Sequence, residues 1–145
     1  TRAQERTMDI YGSGTRPTKK PHLIISQAHC GRTLSLTPDA ARIRAIRVTL
    51  EPASRTAWHT HPFGQALYVI CGTRLLGIRG ESPKMIKTGY TIRIPPNEEH
   101  WHRATTTNSM CHIALQESHD ESIAHWLDHV TDEEHQPPDI IAENV

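Results

Sequence analysis

The sequence predicts an all-β domain, a sandwich or barrel closed by one short helix. Two patterns point there. Short runs of strand-forming residues follow one another from Arg42 to Gln116, separated by Gly, Pro and Asn signals with no helical period between them. The length of 145 residues suits one core with terminal extensions rather than two. That core is small, because Leu, Ile, Val and Phe number only 28. Lys plus Arg is 16 and Asp plus Glu is 16, so the self-repulsion that accompanies disorder is missing. The same balance removes the basic surplus on which nucleic-acid binding draws. Thr56 to Thr73 carries no charge but contains His59, His61, Pro62 and Gly64, and it does not read as a membrane span.

Residues 1–20, rich in Arg, Thr, Gly and Lys, read as a flexible lead-in, and 21–134 as the single domain. Leu23 to Ile25 is the first strand-like run. Arg42 to Leu50 is a half-buried strand, since Ile46, Val48 and Leu50 alternate with Ala45, Arg47 and Thr49. Further strands are expected at Thr56 to His61, Ala66 to Ile70, Thr73 to Ile78, Met85 to Lys87, Thr91 to Ile94, Trp101 to Thr105 and Met110 to Gln116. Pro52, Pro62-Phe63-Gly64, Gly72, Gly80, Gly89 and Pro95-Pro96-Asn97 separate them. The period changes near the end: Ile123, Trp126, Leu127 and Val130 fall at i, i+3, i+4 and i+7. Ser118 with Glu121 supplies a capping box ahead of them, so the C-terminal helix is expected here. Pro137-Pro138 stops it, and 135–145 reads as a tail. Cys30, Cys71 and Cys111 form neither a C-x-x-C pair nor an even framework, and no block before residue 30 has the apolar core of an export signal. Free thiols in a cytoplasmic protein are the expectation.

Histidine is out of proportion, at 11 residues. His59-Thr60-His61 puts two imidazoles on one face of an extended strand, and His100-Trp101-His102 repeats the pattern. Brought together by a closed β-structure, the pairs can supply three neutral imidazoles to a first-row divalent metal, with Gln65 as an oxygen donor. Ordinary strand histidines would give either pair alone.

The string His59-x-His61-x-x-x-Gln65-x-x-x-x-x-x-Gly72 resembles the first motif of the cupin superfamily. Gly89-x-x-x-x-x-Pro95-x-x-x-x-His100, with Asn108 beyond it, resembles the second. The resemblance implies a double-stranded β-helix, or jelly roll, with a metal held by His59, His61, Gln65 and His100. Two departures stand out. Asn97 occupies a position usually held by glycine, where Asn can make the same tight turn. Gln65 replaces the usual glutamate, so the centre keeps its full double positive charge. That makes it a stronger Lewis acid and a poorer stabiliser of oxidised metal, which points to redox-neutral chemistry. Thr56 to Gln65, His100-Trp101-His102, His112 with Gln116-Glu117, and Trp126 with Asp128 to Glu133 are similar to the small manganese-dependent bacterial cupins that act as hydroxynitrile lyases. The resemblance then implies manganese, with iron, zinc, nickel and cobalt as alternatives, and a small cyanohydrin or related hydroxy or carbonyl compound as substrate.

On this reading His112 is the catalytic residue, a base that takes the hydroxyl proton and returns it to cyanide. Gln116 and His102 orient substrate, and Val48 with Ile46 forms an apolar wall. Each has an alternative: His112 as a hydrogen-bonded core histidine, Val48 and Ile46 as plain barrel core, His102 as ligand in place of His100. Trp58 and Trp101 have the opposite parity and are expected to pack outside the cavity, against a partner or the C-terminal helix. Cupins of this type pair through edge strands, so a homodimer or homotetramer is implied. A cupin dioxygenase or isomerase, and a non-catalytic ligand-binding cupin, use the same residues and stay open.

Overall fold

The structure is a computed structural model that describes residues 10, 12, 18–19, 25–26, 29–33 and 41–135. Most of the expected lead-in and the tail lie outside the described residues. In chain order the strands are β1 (Thr18–Lys19), β2 (Ile25–Ser26), β3 (His29–Thr33), β4 (Ile43–Leu50), β5 (Arg55–Thr56), β6 (His59–Thr60) and β7 (Gln65–Cys71). Then follow β8 (Arg74–Ile78), β9 (Lys84–Ile86), β10 (Thr91–Ile94), β11 (His100–Ala104), β12 (Met110–Glu117) and β13 (His125–Trp126). One short helix, α1 (Asp132–His135), ends the described chain. Two antiparallel sheets face each other as the jelly roll requires. The first runs β1-β3-β4-β12-β7-β10; in the second, β11 pairs with β5, β6 and β8, while β13 flanks β6, β2 flanks β5 and β9 flanks β8. Among the described residues no helix is long and apolar enough to cross a membrane.

Strand alternation divides the apolar residues between two clusters. Leu50, Leu67, Val69 and Ala114 from the first sheet meet Leu76, Ile86 and Ala104 from the second, and this cluster fills the space between the sheets. Behind the second sheet, Trp58 and Trp101 pack edge to face, with centroids 6.4 Å apart, against Leu75 and Val130. Both Trp side chains therefore turn away from the histidines, as their parity requires. Trp101 lies over its cross-strand partner Gly77, where a Cβ would stand 1.9 Å from the ring.

The helix forms later than the apolar spacing predicts. Asp120 and Glu121 both take left-handed backbone angles (φ 49° and 65°), and His119 pairs with Ser122 across that turn, so Ser118 and Glu121 do not cap a helix. Beyond it the backbone bonds to β6 and the residue before it instead of to itself: β13 pairs with β6, Trp58 N donates to Asp128 O, and Leu127 N to Trp58 O. Val130 and Leu127 pack on the tryptophan cluster from this extended segment. The reciprocal capping box is Thr131 with Glu134, whose side chains accept from each other's backbone N–H at 3.2 and 3.0 Å.

Candidate metal centre

His59 and His100 are cross-strand partners on β6 and β11, and His61 follows two residues after His59. The three rings lie 4.2 to 5.2 Å apart by centroid, and one nitrogen from each falls within 4.8 Å of the others. Every ring is fixed through Nδ1 by a backbone carbonyl: His59 on Ala57 O at 2.9 Å, His61 on Ile123 O at 2.7 Å, His100 on Glu98 O at 2.9 Å. A carbonyl only accepts, so Nδ1 carries the proton and Nε2 keeps its lone pair. The Pro95-Pro96-Asn97 turn delivers His100 and also anchors His61, since Asn97 (φ 61°) donates its N–H to His61 O at 3.0 Å.

Gln65, at the start of β7 in the facing sheet, donates Nε2 to Gln116 Oε1 at 3.0 Å. That bond orients the amide and leaves Gln65 Oε1 buried with no hydrogen-bond partner, as are His61 Nε2 and His100 Nε2. Buried lone pairs left unmatched are costly unless something accepts them. A divalent cation does, and three imidazoles with one amide oxygen suit a first-row metal. Burial holds all three imidazoles neutral, as metal ligation requires. It pushes His100 down to about 4 and His59 and His61 below their ordinary range, with mutual repulsion between the rings acting in the same direction on His59 and His100.

Deeper in the lumen His102 lies 5.0 Å from His100 and 5.7 Å from His112 by ring centroid. Its Nδ1 is buried without a partner, and burial together with the Arg74 charge lowers its proton affinity. His112, on β12, is the cross-strand partner of Val48 and Val69. Val48 shares its inward face and packs on the main apolar cluster. Gln116 Nε2 is buried with no hydrogen bond.

Arg74 was not singled out by the sequence. The first residue of β8, it is fully buried, and its NH1 reaches across the lumen to His112 Nδ1 at 2.6 Å. A guanidinium has no acceptor, so His112 Nδ1 must be the lone-pair atom and the neutral ring carries its proton on Nε2. Two further contributors had no site role from sequence: the Ile123 carbonyl that holds His61, and Trp126, tilted over His59 with ring centroids 4.6 Å apart. Two hollows lie against these residues, and the first of them touches His100. One of about 310 Å³ is lined by Leu76, Ile78, Ile86, Ile94 and His100; the other, about 460 Å³, runs past Gln65, Gln116, Phe63 and Leu115.

The cupin domain family pattern matches residues 46–115. An (R)-mandelonitrile lyase from Granulicella tundricola is 43% identical over 98 residues, which cover 68% of this chain and 75% of that protein. A cupin-like protein from Thermotoga maritima superposes with a TM-score of 0.75 at 30% identity, over 89% of this chain and 96% of that one. A polyketide cyclase from Streptomyces resistomycificus superposes at 0.69 and 17% identity, over 90% and 92%.

Proposed function

Because this chain belongs to the cupin family, we propose that it is a metal-dependent lyase that splits small cyanohydrins into an aldehyde and hydrogen cyanide. The observation that carries the reading is the donor set: three imidazoles locked through Nδ1, with Gln65 Oε1 facing them, in a chain 43% identical to an (R)-mandelonitrile lyase. His59, His61, Gln65 and His100 would hold the metal, manganese first, with iron, cobalt, nickel and zinc as alternatives. When bound, it supplies Lewis acidity toward the substrate oxygen without any change of oxidation state.

The protein's own groups do the rest. In cleavage the hydroxyl loses its proton, the C–CN bond breaks with its electron pair on cyanide, and cyanide takes a proton. Outside the candidate ligands, His102 Nδ1 is the buried ring nitrogen without a partner among the described residues, and in this reading it accepts that proton and passes it on. His112, with Nδ1 engaged by Arg74, donates from Nε2 as a neutral imidazole and acts as an electrophile. The base's role expected of His112 therefore passes to His102 in this reading, and His112 keeps the part of a hydrogen-bond donor. Gln116 positions Gln65 through Oε1 and offers Nε2 to substrate. Val48 forms part of the apolar wall beside His112.

The working assembly in this reading is a homodimer or homotetramer in the cytoplasm. Ile43, Tyr68 and Leu115, each more than 40% exposed on the outer face of the first sheet, give a second copy an apolar surface, and sedimentation equilibrium measures the state. The activity is tested by aldehyde release from racemic mandelonitrile at mildly acidic pH, comparing manganese-loaded with chelator-stripped protein. Metal-dependent, enantioselective release is expected. No release above background, from protein shown to hold metal, would overturn the lyase assignment.

A further inference from the structure

Strand parity puts Arg74 inside the barrel. On β8 it shares a face with Leu76, which belongs to the cluster between the sheets, and its cross-strand neighbours are Ala104 and Ile86 of that same cluster. The side chain is 0% exposed. One of its donors goes to His112; Nε and NH2 are buried with no hydrogen-bond partner. No Asp or Glu stands among the buried polar residues of the described chain, whose members are hydroxyls, imidazoles, amides and arginines. The guanidinium thus shares the lumen with a site built to hold a divalent cation, and no carboxylate offsets either charge. A buried cation left unpaired costs several kcal/mol, and an arginine is more than holding His112 requires, since a single neutral donor would serve there.

We propose that Arg74 is an anion receptor beside the metal centre, with Nε and NH2 taking a compact monoanion of two or three heavy atoms. Arg74 lines neither hollow described above, so the proposed receptor is separate from the space open to a larger substrate. The planar fork of Nε–H and NH2 grips such an ion at two points. Cyanide released from a cyanohydrin and a small carboxylate such as formate both carry this charge. The identity of the ion as the departing cyanide rests on the lyase reading; the receptor itself does not.

The experiment uses chelator-treated protein, so that no ion can bind through a metal. Thermal unfolding is followed at neutral pH in azide or formate against chloride at equal ionic strength, for the wild type, Arg74→Met and Arg74→Lys. At a hundred times its dissociation constant a bound ion shifts the unfolding equilibrium about a hundredfold. That shift is expected for the wild type, is lost in Arg74→Met, and is weakened in Arg74→Lys, which keeps charge and a donor to His112 but not the fork. Without added ion, Arg74→Met removes an unpaired buried charge but also the bond to His112, so its response to the ion, and not its melting temperature, is what is read. If it fails to fold, the lysine variant against wild type decides by the same loss of response. Equal responses in wild type and variants, or no response in the wild type, overturn the receptor. Added cyanide is almost wholly neutral hydrogen cyanide at neutral pH, so azide and formate decide the receptor, and the identity of the ion as departing cyanide stands or falls with the mandelonitrile assay.

Discussion

Acid should destabilise the metal-free protein through imidazoles that the fold keeps neutral, and should also cancel whatever stability a bound metal adds at neutral pH. Burial lowers the folded-state proton affinity of His59, His61, His100 and His102, and His100 reaches about 4. In the unfolded chain each titrates near 6.5. Between those values the unfolded chain binds more protons, so stability is full above about pH 6.5 and falls as pH drops toward 4. For His100 alone, moving from pH 7 to pH 5 costs about 2 kcal/mol, from 1.36 kcal/mol per pH unit across most of that interval. The other three act in the same direction, against a total stability of about 5–15 kcal/mol for a domain of this kind. The assay is urea unfolding followed by tryptophan fluorescence at pH 7, 6 and 5, with chelator or with manganese. With a slope of about 2 kcal/mol per molar, His100 alone moves the midpoint by about 1 M. Manganese should raise the midpoint at pH 7 and lose that effect at pH 5, because ligation competes with protonation. Identical midpoints at pH 7 and 5 in chelator would refute the reasoning, since the buried rings would then not differ in protonation between the folded and unfolded states.

Three substitutions extend the test. Gln116→Leu removes the acceptor that orients Gln65, so manganese affinity should fall about tenfold or more, read as free manganese by electron paramagnetic resonance, with little change in the metal-free melting temperature. His112→Phe should leave manganese content intact and cut mandelonitrile turnover by about a hundredfold; unchanged turnover would remove His112 from the reaction. Gly77→Ala places a Cβ against the buried Trp101 ring, with no room between, and should destabilise by about 1–3 kcal/mol in chemical denaturation without touching metal affinity.

Legibility in the sequence followed the range of the interaction. Strand periodicity is local, and the runs expected from Arg42 to Gln116 are the strands observed, except that Thr56 to His61 breaks into β5 and β6. The same-face rule for His59 with His61 and for His100 with His102 is equally local. The helix expected over Ile123 to Val130 fails because that spacing also suits an extended segment whose backbone bonds are taken by Trp58 and whose apolar residues find the tryptophan cluster. Periodicity cannot weigh a partner strand that lies about seventy residues earlier in the chain. Arg74 escaped for a related reason. Leu75 on one face of β8 and Leu76 with Ile78 on the other make both parities apolar, so the sequence left open which side of the sheet Arg74 takes. Closure of the barrel decides it.

The two sheets divide the site between them. The second contributes His59, His61, His100, His102 and Arg74, and the first contributes Gln65, His112 and Gln116. Two hydrogen-bonded contacts organise this division: Gln65 with Gln116 within the first sheet, and Arg74 with His112 across the lumen. A metal held as proposed, by imidazoles of one sheet and an amide of the other, would tie the layers at one end, while the Arg74–His112 bond ties them further in. Ligand sites that bridge two packed layers gain rigidity from the packing itself, because neither layer can shift without breaking contacts to the other. The extended segment after β12 serves the same end from outside: its Ile123 carbonyl fixes His61 and its Trp126 covers His59. A chain that formed a helix over Ile123 to Val130 would spend that carbonyl within the helix and leave the His61 ring free to turn. The departure from helical periodicity is therefore what sets the tautomer of His61, one of the three histidines that could hold a metal.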